Sequence, residues 1–301
     1  MSDLPELYPG FESKTVKVAG ADIFCRIGGS GPALLLLHGY PQSHAIWHKI
    51  APKLAEHFTL VLPDLPGYGR SSIPPLSADH EAYSKRNMAR MMTELMQALG
   101  YDRFFLAGHD RGGRVAYRLG LDHPDVVEKL AVLDILPTSD YWDRMDRSFG
   151  LKIYHWMFLA QPAPLPENLI TAAPIRYLEH TLSSWTADKS LNCFSKEAME
   201  HNRDWFRETK RISATCEDYR AGATIDYDHD KADRDAGKKI TSPLLVLWGD
   251  KGIAMSANDP LKVWQEWSAN VKGEAISSGH FLPEEAPQAT CEALLSFYTN
   301  E

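Results

Sequence analysis

FFLAGHDRGGR, residues 104–114, is the stretch on which the reading of this chain turns. Its first half is a short, unbroken apolar run, as expected of a strand buried on both faces of a parallel sheet. Its second half opens a helix predicted from about Arg111 to Gly120. Between them lies Gly108-His109-Asp110-Arg111-Gly112, the glycine-flanked pattern of a strained turn that lifts one side chain above the carboxyl edge of a sheet. Glycines belong there because the turn is tight and neighbouring backbones come close. The lifted side chain is Asp110. It opens the new helix, where free N–H groups and the helix dipole favour negative charge.

Outward from this turn the strand–helix alternation repeats. TVKV (15–18) and ADIFCRI (21–27) read as a hairpin, ALLLL (33–37) and TLVL (59–62) as buried strands, and 44–56 as a helix with Ile46, Ile50 and Leu54 four apart. KLAVLD (129–134) and PLLVLWGD (243–250) are two further strands, each ending in an Asp, and a helix near 284–298 closes the chain. This predicts an α/β fold: a mostly parallel central sheet, right-handed crossovers and helices on both faces. The alternation breaks between about Pro137 and Ile240, a stretch rich in Trp, Tyr, His and charge. The expected organisation is a core of residues 1–137 and 241–301 with an inserted helical cap of 138–240. Such a cap sits at the carboxyl edge of the sheet, where ligands bind in open α/β folds.

Composition narrows the partners. With 301 residues and 44% hydrophobic content, one large core with an insertion is expected rather than two independent domains. A net charge of −8 gives no support for binding nucleic acid or an anionic membrane. A small anionic substrate would have to be drawn in by local positive charge. The four cysteines, Cys25, Cys193, Cys216 and Cys291, are scattered without a CxxC pair, which predicts reduced thiols rather than disulfides or a metal site. The first residues lack the basic and apolar regions of a signal peptide, so a cytoplasmic setting is expected.

Asp at the elbow changes the chemistry. A serine there would attack acyl carbon. A carboxylate is already ionised at neutral pH and can displace a leaving group from saturated carbon, forming an alkyl ester that water must hydrolyse. Dehalogenation or epoxide opening follows. Hydrolysis needs a base, and His280, after Gly279 on a late loop, stands in the order nucleophile, acid, His. Asp134 and Asp250 both end strands and both qualify as the acid that orients it. HGYP (38–41) is the expected oxyanion loop. Arg111 and Arg114, three apart beside Asp110, predict an anion held next to the reacting carbon, since guanidinium can grip a carboxylate bidentately.

Together HGYP, GHDRGGR, the strand-end Asp and the late Gly-His resemble the fluoroacetate dehalogenases, a branch of the α/β-hydrolase fold, along the whole chain. The resemblance implies Asp110 as nucleophile, His280 as base and Asp134, rather than Asp250, as its partner. It implies Arg111 and Arg114 as the substrate-carboxylate clamp, and His155, Trp156 and Tyr219 of the cap as a halide pocket. Tyr40 stands where many haloalkane dehalogenases carry a halide-binding Asn, and Trp185 lines the entrance. A cytoplasmic homodimer with no cofactor and no metal is implied too. Fluoride is a poor leaving group, and imidazole, indole and phenol can each donate a hydrogen bond to it. At roughly 1.5–3 kcal/mol per hydrogen bond to a charged partner, three lower the barrier by several kcal/mol.

The nearest rival is a soluble epoxide hydrolase, which shares the triad but leaves the arginine pair without a task. A serine-type esterase is disfavoured by Asp110 itself. A non-catalytic receptor on this fold would usually have lost part of the triad.

Overall fold

The computed structural model describes residues 4–257 and 259–300. Its centre is an eight-stranded sheet: β1 (Glu12–Val18), β2 (Ala21–Gly29), β3 (Ala33–Leu37), β4 (Thr59–Pro63), β5 (Phe104–His109), β6 (Val127–Leu133), β7 (Leu244–Gly249) and β8 (Val271–Ile276). Their order across the sheet is β1-β2-β4-β3-β5-β6-β7-β8. β1 and β2 form the antiparallel hairpin, β2 pairs antiparallel with β4, and the pairings from β4 through β8 are parallel.

The apolar runs are continuous because both faces are covered. Leu35 and Leu37 pack on one side with Val61, Leu106 and Val132; Leu34 and Leu36 pack on the other with Leu60, Ala107 and Ala131. Period-two alternation thus divides each strand between two hydrophobic layers. The helix Lys85–Ala98, which the sequence reading did not single out, covers the first layer with Met88, Met92 and Leu95. The closing helix covers the second with Cys291, Leu294 and Phe297.

Two helical expectations are modified. The 44–56 stretch is a short 3₁₀ turn, His44–Trp47, followed by a single helical turn, Ala51–Leu54. The His44 N–H and Nδ1 both bond Asp64 at 2.8 Å, and this holds the chain out of continuous helix. The 284–298 helix is split at Ala286 into Leu282–Glu285 and Pro287–Thr299, because Pro287 has no N–H to continue the ladder.

Between β6 and β7 lie eight helices and no strand, from Thr138–Asp143 to Ile225–Asp235. Buried charge ties them to the rest: Arg118 Nη2 reaches Asp230 at 2.6 Å, Lys85 pairs with Asp218 and Asp226, and Arg111 pairs with Asp218. The turns after β3, β5, β6 and β8, together with this insertion, enclose one region at the carboxyl edge of the sheet. The final piece of β6 and the turn after it therefore serve both the sheet and the insertion.

Candidate active site

The elbow is tight enough to force its glycines. Asp110 has φ 48°, a left-handed conformation that an L residue adopts only under constraint. A Cβ on Gly112 would fall inside contact distance of the carbonyl oxygens of Leu37 and His38, both backbone and both immovable without opening β3. Gly112→Ala should therefore lose more than about 3 kcal/mol of stability, read as a large fall in Tm or as insoluble protein. A variant with the wild-type melting curve would contradict this packing.

Asp110 is buried, and its Oδ1 accepts the Tyr40 N–H at 2.8 Å. Burial opposes its charge, but His280 and the Arg111 and Arg114 guanidiniums outweigh burial and hold the carboxyl below its ordinary value. His280 Nε2 lies 3.8 Å from Asp110 Oδ2, and His280 Nδ1 lies 2.6 Å from Asp134 Oδ2. Asp134, at φ 50°, is fixed by the N–H groups of Gly249 (3.2 Å) and Ile253 (2.8 Å). Asp250 instead is exposed and accepts the Ser278 N–H at 3.2 Å, bracing the loop before His280.

The His280 loop has two further anchors. Its N–H donates to the Trp185 carbonyl (3.0 Å), and its own carbonyl accepts from His109 Nε2 (2.8 Å). Burial pushes His109 down to about 4, so its ring is neutral and can carry the proton on Nε2. Nothing in the sequence marked His109 for this task; its only signal was its place inside the elbow.

The arginines are arranged differently from a simple pair of forks. Arg111 gives Nε (2.9 Å) and Nη2 (2.7 Å) to the Asp218 carboxylate, and Nη2 also reaches the Asp218 carbonyl. Its bidentate edge is thereby occupied, and Nη1 is the atom left over. Arg114 Nη1 donates to Leu136 O (3.0 Å) and Thr138 Oγ1 (3.1 Å), while its guanidinium lies 4.3 Å from the Trp156 ring centre and 4.5 Å from that of Tyr141.

The insertion supplies an aromatic roof. His155 and Trp156 come from the helix Tyr154–Leu159, Tyr219 from Thr209–Ala223, and Trp185 from the end of Pro174–Trp185. The His155 ring is 4.3 Å from Trp185 and 5.6 Å from Tyr219, Trp156 is 6.0 Å from Tyr219, and Tyr40 is 5.3 Å from Tyr219. Arg111 lies 4.3 Å over the Tyr219 ring. Asp110, Asp134, His280, Arg111, Arg114, His155, Trp156, Tyr219, Tyr40 and Trp185 are thus all buried around one region, whereas Asp250 is exposed.

Several buried polar atoms of this region have no hydrogen-bond partner among the described residues: His280 Nε2, Arg111 Nη1, Arg114 Nε, His155 Nδ1, and the hydroxyls of Tyr40 and Tyr219. An orphaned buried polar group costs about 1–3 kcal/mol, so a cluster of six points to a small polar ligand bound there. Burial pushes His155 down to about 3, and burial with the Asp110 charge pushes the Tyr219 phenol well up. Both therefore stay neutral near pH 7, and the phenol remains a hydrogen-bond donor. The unfolded chain protonates His155 near its ordinary value of about 6.5 while the folded chain does not. Its contribution to stability should fall as pH drops from that value toward the folded one. Replacing His155 with Gln should flatten that part of a Tm-against-pH curve; an unchanged slope would place the proton uptake elsewhere.

Residues 32–287 match the alpha/beta hydrolase fold family. The chain belongs to that family. It is 43% identical over 294 residues to a fluoroacetate dehalogenase from Burkholderia sp, covering 98% of this chain and 96% of the relative. It is also 35% identical over 272 residues to a soluble epoxide hydrolase from Corynebacterium sp. (strain C12), covering 90% and 91%. Among solved structures, an alpha/beta hydrolase from Nostoc sp PCC 7120 superposes with a TM-score of 0.94 at 49% identity, covering 97% of this chain and 99% of that one. This α/β hydrolase therefore carries an Asp at the elbow where a serine is usual. No helix among the described residues is long and apolar enough to cross a membrane.

Proposed function

We propose that this α/β hydrolase hydrolyses small 2-haloacids, converting fluoroacetate or chloroacetate to glycolate and halide. The observation that carries the reading is Asp110: an ionised carboxylate at the elbow, flanked by two buried arginines that each keep an unpartnered N–H. Similarity to the Burkholderia fluoroacetate dehalogenase supports it.

Arg111 Nη1 and Arg114 Nε hold the substrate carboxylate. An Asp110 oxygen attacks the adjacent carbon from behind, the C–O bond forms as the C–halogen bond breaks, and the halide leaves with the bonding pair. His155, Trp156 and Tyr219 form the halide pocket, where Trp156 and Tyr219 supply N–H and O–H donors. His280 Nε2 then takes a proton from water, whose oxygen adds to the ester carbonyl carbon of Asp110. Asp134 holds the imidazole and balances the imidazolium. The Tyr40 N–H, which touches Asp110 Oδ1, stabilises the oxyanion. Collapse expels the 2-hydroxyacid oxygen, which takes the proton back from His280, and the Asp110 carboxyl gives the second water proton to solvent to return as carboxylate.

In this reading residues 138–240 act as the cap over a core of 1–137 and 241–301, and the working enzyme is a cytoplasmic homodimer. The epoxide alternative, favoured by the Corynebacterium relative, gives Arg111 and Arg114 no task.

The test is halide release followed by ion electrode, with fluoroacetate and chloroacetate as substrates. Release of fluoride by the wild type and none by Asp110→Asn is the expected result. Chloride without fluoride would keep the mechanism but reduce the aromatic trio to packing; no halide at all would overturn the proposal.

A further inference from the structure

The buried site needs a way in for an anion, and the protein as a whole repels anions with a net charge of −8. One surface cleft carries basic side chains and no carboxylate. It has a volume of about 220 Å³ and is lined by Lys152, Lys189, Lys251 and His180, with Trp185 and Ile253 among its apolar walls and no carboxylate. Four other clefts each carry at least one acid: Glu217, Glu292, Glu56 and Glu274 are examples.

The walls of this cleft are also the back of the site. Trp185 packs its ring 5.4 Å from His280 and 4.3 Å from His155, and its carbonyl holds the His280 N–H. Ile253 N donates to Asp134. Lys152 Nζ donates to Gly252 O at 2.6 Å, and Lys189 Nζ to Ser184 O at 2.8 Å. Burial lowers the Lys152 ammonium from its ordinary value; Asp134 opposes that shift and Lys189 adds to it, so the lysine charges and the site lie within electrostatic reach.

The resemblance already places Trp185 at the entrance; we propose that Lys189 and Lys251, on the cleft beside it, gather small carboxylate anions before they pass into the buried site. The proposal rests on the haloacid reading for the identity of the anion. A cleft lined by one sign of charge raises local counter-ion concentration and encounter rates, and the gain disappears in salt. Both lysines are exposed and can be changed without touching the core.

The experiment compares Lys189→Gln/Lys251→Gln with a charge-matched control on the opposite edge of the sheet, Lys14→Gln/Lys17→Gln on β1. At low ionic strength the entrance variant should lose about 3- to 10-fold in kcat/KM for chloroacetate, with kcat changed less than about 2-fold. The gap should close near 1 M salt, where the screening length is about 3 Å. A second measurement needs no turnover. Iodide quenching of the Trp185 fluorescence component, taken as wild type minus Trp185→Phe, should weaken in the entrance variant while quenching by neutral acrylamide does not. Equal kcat/KM in the two lysine pairs, or unchanged iodide quenching, overturns the entrance. Should the wild type release no halide, the haloacid reading fails by itself and the quenching result still judges the cleft.

Discussion

A His280→Asn variant exposed to chloroacetate should release one equivalent of chloride and then stop, leaving a carboxymethyl ester on Asp110. The two half-reactions use different groups. Displacement needs an ionised Asp110, which the surrounding positive charge holds below its ordinary protonation range. Hydrolysis needs a base at His280 Nε2, 3.8 Å from Asp110 Oδ2 and oriented through Asp134. Losing a positioned base costs about 10²- to 10⁴-fold, so steady turnover should fall by about that much while the first turnover survives. Intact-protein mass spectrometry should show the gain of one carboxymethyl group, mapped to the peptide that spans 104–114. Asp110→Asn should show none. Continued multiple turnover by His280→Asn, or a mass gain on any residue other than Asp110, would sink the two-step scheme.

The parts of this scheme set by local backbone pattern were legible in the sequence. Asp110 was found because strand, glycine-flanked turn and helix are contiguous, and one turn geometry satisfies all three. The inner strands were legible because a buried parallel strand needs an unbroken apolar run, whereas the edge strand β8, VKGEAI, carries none. Choosing between Asp134 and Asp250 was beyond the residue pattern, since both end strands. Their difference lies in the turns that follow: Asp134 at φ 50° faces the Gly249 and Ile253 N–H groups and His280, whereas Asp250 turns to Ser278. The aromatic roof was no clearer from the residues, and the family resemblance alone picked His155, Trp156 and Tyr219 from many cap aromatics. Least legible was what holds Arg111. Asp218, Lys85 and Tyr68 come from three distant segments, and pairings of that kind leave no periodic or spacing signal. A weak sign existed: Asp218 immediately precedes Tyr219.

Replacing Asp218 with Asn should be among the most damaging single changes away from the reacting atoms. The Asp218 carboxylate is fully buried and accepts from Arg111 Nε and Nη2, from Lys85, and from the Tyr68 hydroxyl at 2.6 Å. The Arg111 and Lys85 charges hold it far below its ordinary protonation range against the opposing effect of burial. An amide of the same shape keeps one acceptor and brings two cations together without the anion between them. Removing one member of a buried pair costs about 3–5 kcal/mol, on the order of 10 °C in Tm for a chain of this size. Tyr68→Phe removes only a neutral donor and should cost about 0.5–1.5 kcal/mol, which sets the scale for ordinary loss of contact. Activity should suffer separately, because Arg111 loses the partner that fixes its direction and Nη1 no longer points reliably at the substrate; KM for chloroacetate should rise more than kcat falls. The charge argument has its own check. Lys85 keeps Asp226 as a second partner, so Lys85→Met alone costs two pairs, and combining it with Asp218→Asn should cost less than the sum of the two single changes because their shared pair is lost only once. If the two costs simply add, the Lys85–Asp218 charge pair contributes nothing and Asp218 acts as ordinary packing.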